Sequence, residues 1–309
     1  MRAEIKSIHC PFCALCGGKT DCVFREQCLG GFVKQIFRCR KCGLGFVSPS
    51  PSREVLTGFY NNAEYFVDLE SDGESYRPKF DFPLWVAEEI FRTIKIRSGV
   101  TPLLLDIGSG IGTFLQEVKR IQPGIDAVGL EPSTWAVEHS RRKGLNVMKG
   151  FFEDAESEFQ DESFAVVCAF ELIEHLLNPF LFIRQVKRIL EPNGYFIFST
   201  PDFNSLIYKI RAPHALGLHR EHLFYFTKGN LIKMLSRDFT ILKIGEISGY
   251  IGTGILSERR GSERRTRSFR RVREVTRSLL KTQPFVRGFY QRVSSLIGIS
   301  SLFVIAQKK

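Results

Sequence analysis

From residue 84 onward, short apolar runs alternate with stretches in which apolar residues recur at helical spacing. "PLWVAEEIFRTIKI" puts Trp85, Ile90 and Ile94 on one face of a predicted helix. Residues 103–107 form a short apolar run of the kind a buried parallel strand needs, and an amphipathic helix follows. "DAVGLEPS" carries the second strand; residues 145–149 and 164–169 predict the third and fourth. A helix over 178–190 presents Phe182, Val186 and Ile189 on one side, and "PNG" turns the chain into a fifth strand at 195–200. "FTILKIGEI" and "SLFVIAQKK" supply the last two strands. The alternation predicts an open α/β sheet without internal repeats.

The loop after the first strand reads "DIGSGIG". A dinucleotide fingerprint, G-x-G-x-x-G, needs glycine at 113, where Thr113 stands. The pattern is instead D-x-G-x-G-x-G, built from Asp106, Gly108, Gly110 and Gly112. A carboxylate at the strand end repels a pyrophosphate but suits a ligand carrying a sulfonium and an α-ammonium. The second strand ends in Glu131, which can accept hydrogen bonds from ribose hydroxyls. Together these features describe a site for S-adenosylmethionine.

The first fifty residues add different chemistry. Cys13 and Cys16 form one C-x-x-C, Cys39 and Cys42 a second, and each pair ends in Cys-Gly. Glycine there lets the chain turn so that backbone N–H groups point at the thiolates. Four thiolates satisfy tetrahedral Zn²⁺ and leave no open position for substrate, so the metal is expected to fold the module. Cys10 offers a competing pair with Cys13, and a redox C-x-x-C is the other reading; Cys22, Cys28 and Cys168 read as plain thiols.

Net charge is +11, and its placement is uneven: between residues 257 and 292 twelve Lys/Arg face three Glu. Phe269, Val272, Val275 and Leu279 recur at helical spacing there, surrounded by Arg264, Arg265, Arg267, Arg270, Arg271, Arg273 and Arg277. Such a basic amphipathic segment, 264–292, fits an anionic membrane surface, RNA phosphates, or a lid over the site. No apolar run approaches the roughly 18 residues a membrane span needs, and the start has no secretory h-region. With eight cysteines, this predicts a reducing, cytoplasmic setting, peripheral at the membrane if the basic segment binds lipid.

"LLLDIGSGIGTFL", "VGLEPS", "FQDESFAVVCAFELIEHLLNPFLFIRQVKRILEPNGYFIFSTPD" and "EHLFYFTKGNLIKML" resemble class I S-adenosylmethionine-dependent methyltransferases, in the ubiquinone-biosynthesis-like branch. The resemblance runs from about residue 102 to the end. The cysteine module with "GLGFVSPSPS" and "FYNNAEYF" resembles the zinc-binding N-terminal unit of some of these enzymes. It implies a Rossmann-like seven-stranded sheet with the last two strands antiparallel, a zinc-ribbon-like module at 1–50, a linker with a leading helix at 51–101, and a catalytic domain at 102–309. A basic helical insertion at 255–298 precedes the last strand. The family's cofactor roles fall on Asp106, Gly108, Gly110, Gly112 and Glu131. Many relatives place an Asp after strand three for the adenine amino group; Phe151 and Phe152 stand there, so Phe152, Glu153 or Asp154 takes that place, and Phe170 is a further cofactor contact.

"FELIEHL" follows strand four, where ligands of open α/β sheets bind. If it opens a helix, Glu171 faces Glu174 and His175 across one turn. His175 is then the base for a hydroxyl acceptor, or it only shapes the pocket. By resemblance, Glu-x-x-Glu-His also occurs as a divalent-cation site in small-RNA 3′-end 2′-O-methyltransferases and ubiquinone-type O-methyltransferases. Glu171, Glu174 and His175 would then need a further ligand, for which His219 and His222 are available. The expected activity is methyl transfer to oxygen or carbon of a small metabolite, glycan or lipid-linked intermediate. RNA methylation and a non-catalytic scaffold are the rivals.

Overall fold

The computed structural model describes residues 11–27, 33–60, 84–95, 101–205, 221–248 and 300–309. The basic segment 264–292 and the whole insertion 255–298 lie outside them, as do Cys10, Cys28, His219 and the Trp85 side chain. Among the described residues no helix is long and apolar enough to cross a membrane.

The N-terminal residues form an antiparallel ribbon of β1 (Thr20–Gln27), β2 (Val33–Cys39) and β3 (Gly45–Val47), followed by helix α1 (Arg53–Tyr60). Helix α2 (Leu84–Thr93) leads into β4 (Leu103–Ile107), α3 (Thr113–Ile121), β5 (Asp126–Glu131), α4 (Thr134–Arg142), β6 (Asn146–Lys149) and the short α5 (Phe152–Ala155). Then come β7 (Phe164–Phe170), α6 (Pro179–Ile189), β8 (Leu190–Pro201), β9 (Phe224–Tyr225), α7 (Lys228–Leu235), β10 (Phe239–Ser248) and β11 (Ser300–Lys308).

Seven strands make the main sheet, in the order β10-β11-β8-β7-β4-β5-β6. β4, β5, β6, β7 and β8 run parallel, and β11 is antiparallel to both of its neighbours. This is the sheet expected from the resemblance. From β4 the chain first builds outward through β5 and β6, then returns to the other side of β4 as β7. The crevice between β4 and β7 is therefore the topological switch point, where such sheets bind ligands.

Strand alternation decides which side chain joins which layer. Leu104, Val166, Ile197, Phe303 and Ile305 face α2, α3 and α4 through Ala87, Ile90, Phe114, Val118 and Val137. Leu105, Val167, Phe196, Phe198 and Val304 face the other way, against Phe182 and Val186 of α6 and Leu231 and Leu235 of α7. Burying each large side chain contributes about 1.5–3 kcal/mol. This second layer also takes in Cys13, Phe37, Cys39, Leu44 and Phe46 of the ribbon. The helix caps follow the sequence: Asn178 accepts the Leu181 N–H at the start of α6, and Thr227 and Asn230 form a reciprocal capping box on α7.

The two-residue strand β9 is the part no periodicity predicts. It pairs with β3, so the ribbon becomes a four-stranded sheet, β1-β2-β3-β9, with its last strand drawn from far along the chain.

Candidate active site

The glycine loop leaves β4 at Ile107. Gly108, Gly110 and Gly112 all adopt positive φ (73°, 54° and 73°), which side chains with a Cβ rarely tolerate. At Gly112 a Cβ would also land 2.3 Å from Leu145 Cδ1, whereas at Gly110 it would meet nothing within 4 Å. The first glycine contact seals the loop onto α4 and β6; the second leaves an open face at the sheet edge. Glu131 sits beside that face, buried, with Gly110 N–H donating to Oε2 and Ser133 N–H donating to Oε1, both at 2.9 Å. Burial pushes the Glu131 carboxyl up to about 7, outweighing those two donors. Asp106 is buried below the loop and is pushed well above the usual carboxylate range, first by burial and then by the charge of Glu131.

The candidates around the adenine position separate. Phe152 turns inward, its ring packed on Phe159 and edge-on to Phe182 with centroids 5.2 Å apart. Asp154 pairs with Arg53 of α1, and the Arg53 guanidinium lies 5.3 Å from the Phe151 ring centroid. Glu153 is exposed in the first turn of α5. Phe170, half-buried at the end of β7, meets Phe114 edge to face at 4.9 Å.

"FELIEHL" does not open an α-helix. Glu171 takes φ 48°, and only Ile173–His175 forms a single 3₁₀ turn. The cause is its neighbour β8. Glu171 N–H donates to the Ser199 carbonyl at 3.0 Å, prolonging the strand ladder past the point where a helix would begin. The chain then reverses through the left-handed residue. Glu171 thus points at Ser199, whose hydroxyl donates to Oε1 at 2.7 Å, and Glu174 receives the Thr200 hydroxyl at 2.9 Å. Burial pushes Glu171 up to about 7 and also raises Glu174 well above the usual carboxylate range, the latter with help from the charge of Glu171.

Tertiary structure supplies a partner to this turn. His222 meets His175 edge to face, ring centroids 4.7 Å apart, and His175 Nε2 lies 3.8 Å from Glu174 Oε1. Ligand atoms of Glu174, His175 and His222 all lie within 4.8 Å of one another, in a buried cluster that does not include Glu171. Among the described residues Glu174 Oε1 has no hydrogen-bond partner. Sequence reading reached His222 only through resemblance, and missed Ser199 and Thr200. Their signal is weak, two hydroxyls ending an apolar strand beside the strand that carries the acids.

At the other site, Cys13, Cys16, Cys39 and Cys42 converge, with all four sulfurs within 4.8 Å of one another. Gly17 and Gly43 take φ 66° and 75°, making the two knuckle turns expected of Cys-Gly. Burial acts to raise the Cys39 thiol, but the N–H groups of Cys42 and Lys41 and the Cys16 thiol prevail and draw it down to about 7. Cys22 and Cys168 stand apart from this cluster.

Comparison with known proteins follows the same geometry. The model of the methyltransferase-domain family matches residues 88–243. The ubiquinone biosynthesis O-methyltransferase of Photobacterium profundum is 34% identical over 161 residues, 47% of this chain and 66% of its own. That of Aliivibrio fischeri (strain MJ11) is 31% identical over 160 residues, again 47% and 66%. The chain thus spans just under two thirds of these relatives. The geranyl diphosphate C-methyltransferase of Streptomyces coelicolor A3(2), solved with Mg²⁺, geranyl diphosphate and S-adenosyl-L-homocysteine, shares the fold at a TM-score of 0.56 and 12% identity, over 84% of this chain and 99% of that one. The family match runs through the glycine loop, Glu131 and the turn after β7, and it takes in just over half of the chain, so this protein belongs to the methyltransferase-domain family.

Proposed function

We propose that the protein is an S-adenosylmethionine-dependent methyltransferase that methylates an oxygen of a small or lipid-linked acceptor. The observation that carries this is the pairing of two half-sites across the switch point. The open glycine loop with Asp106 and Glu131 lies on one side; Glu174, His175 and His222 lie on the other.

The residues fit the cofactor. Gly110 leaves room for a close approach, and Glu131 is an acceptor for ribose hydroxyls. Asp106, buried beneath the loop, would favour the positively charged end in its ionised form. When bound, the cofactor supplies an electrophilic methyl carbon on a sulfonium. The protein's part is to hold the acceptor oxygen in line with the carbon–sulfur bond, which supplies much of the rate. His175 would take the proton that the acceptor hydroxyl loses, with His222 packed edge to face against its ring and Glu174 Oε1 3.8 Å from its Nε2. The relatives' name supports oxygen over carbon as acceptor.

The four converging sulfurs fit structural Zn²⁺, held by Cys13, Cys16, Cys39 and Cys42. A second reading of the acceptor side has its own support: the unsatisfied Glu174 Oε1 beside two imidazoles fits a divalent cation that would orient the acceptor oxygen.

Incubation with methyl-labelled cofactor and fractionated small-molecule, lipid and RNA pools tests the proposal. Label is expected in the small-molecule or lipid fraction. Label confined to RNA would support the RNA alternative, and no transfer to any pool would support a scaffold.

A further inference from the structure

We propose that the four-cysteine module positions the acceptor side of the active site, holding residues 222–226 through β3 and Asn230 so that His222 stays against His175. The inference rests on the acceptor-side reading above and adds a role for a module expected only to fold itself.

Leu223 is the joint. Its N–H donates to the Glu174 carbonyl and its carbonyl accepts the Val47 N–H, each at 2.8 Å. One residue, 3% exposed, thus ties the turn that bears Glu174 and His175 to the end of β3. His222 precedes it and β9 follows it. β9 then pairs residue by residue with β3, Gly45 against Tyr225 and Phe46 against Phe224. The pairing caps the edge of the ribbon with a segment of the methyltransferase domain, the same physics as strand addition by a partner peptide.

Side chains reinforce the backbone. Gly45 is buried where any Cβ would sit 2.8 Å from Phe203 and 2.9 Å from Tyr225 Cβ, so only glycine allows this approach. Asn230, fully buried, donates from Nδ2 to the Cys42 carbonyl at 2.7 Å while its Oδ1 accepts the Thr227 N–H. The second cysteine knuckle is therefore bonded directly to the start of α7. Cys42 lies two residues before Leu44, which joins the core beneath α7, and three before Gly45. Displacing the knuckle would displace β3, and β3 sets the height of β9 and of His222.

Two variants loosen the joint without touching the cysteines or the histidines. Asn230→Asp keeps an oxygen for the Thr227 N–H but sets oxygen against the Cys42 carbonyl. Gly45→Ala drives a methyl into Phe203 and Tyr225. Asp161→Asn is the control, since its exposed carboxylate pairs with Arg188 ahead of β7, away from the joint. The 309-residue chain, labelled at its six histidines, is read by imidazole resonances assigned with His175 and His222 variants. Affinity for S-adenosylhomocysteine is measured in parallel.

Asn230→Asp and Gly45→Ala are expected to shift both imidazole signals while affinity stays within about twofold; Asp161→Asn leaves them in place. Signals that superimpose on wild type in both variants overturn the proposal. Hydrogen exchange on the unaltered protein gives a test independent of how the variants fold. The amides of Val47 and Leu223 should exchange at one common rate, as members of one opening unit; separate rates overturn the proposal. Failure of S-adenosylhomocysteine to bind any form counts against the methyltransferase reading alone.

Discussion

His175 and His222 touch edge to face, centroids 4.7 Å apart, although one follows β7 and the other precedes β9. As a proton acceptor His175 should be costly to remove: His175→Ala is expected to lower turnover about 10²–10⁴-fold with cofactor affinity unchanged. His222→Ala should reproduce the loss in part, by freeing the ring. Chelation separates the two acceptor-side readings. A base survives it, apart from any slow loss of the N-terminal zinc; a cation held with Glu174 does not, and added Mg²⁺ or Mn²⁺ then restores activity. Wild-type turnover in His175→Ala would leave the turn as pocket wall.

Glu131 is held by Gly110 and Ser133 N–H groups in the orientation its proposed ribose contact needs. Glu131→Ala should weaken S-adenosylmethionine binding by about 1.5–3 kcal/mol, the range of a hydrogen bond to a charged group. Calorimetry reads this directly. An unchanged dissociation constant would remove Glu131 from the cofactor site.

The same residue sets a pH dependence. Burial lifts its carboxyl from 4.5 to about 7, so between those values the folded protein holds a proton that the unfolded chain has released. Stability from this group therefore falls as pH rises from about 4.5 to about 7. A ligand that donates to the carboxylate binds the ionised form, so affinity should rise with pH and level off above about 7. Below that, binding should release a proton, visible as a dependence of calorimetric heat on buffer ionisation. Glu131→Gln should flatten the profile; a flat profile in the wild type would show that the carboxylate plays no part.

Cys39 accepts N–H groups from both Lys41 and Cys42, which builds its sulfur into the knuckle. Cys39→Ser should lower zinc content below one per chain and reduce stability, since binding energy in such a site is folding energy. Elemental analysis with a thermal melt measures both. A wild-type protein free of zinc, or a variant that melts unchanged, would refute the metal assignment.

Much of this architecture is local information. Alternation placed Leu104 and Leu105 on opposite faces of β4, and the Cys-Gly spacing marked both knuckles, because each depends on residues within a turn or a strand. The positive-φ positions Gly108, Gly110 and Gly112 were legible for the same reason: only glycine tolerates them cheaply. The helix that sequence alone left open for "FELIEHL" does not form. The competing force is a ladder bond from Glu171 to Ser199 on β8, and no local pattern encodes it. Nor does any local pattern encode β9. Its two residues are too short for periodicity to register, and they are strand only because β3 offers unpaired edge groups at that place. The sequence determined the elements and the chemistry available to each. Tertiary structure alone decided that His222 stands beside His175, and that the ribbon bearing the cysteines bonds to the chain that holds it there.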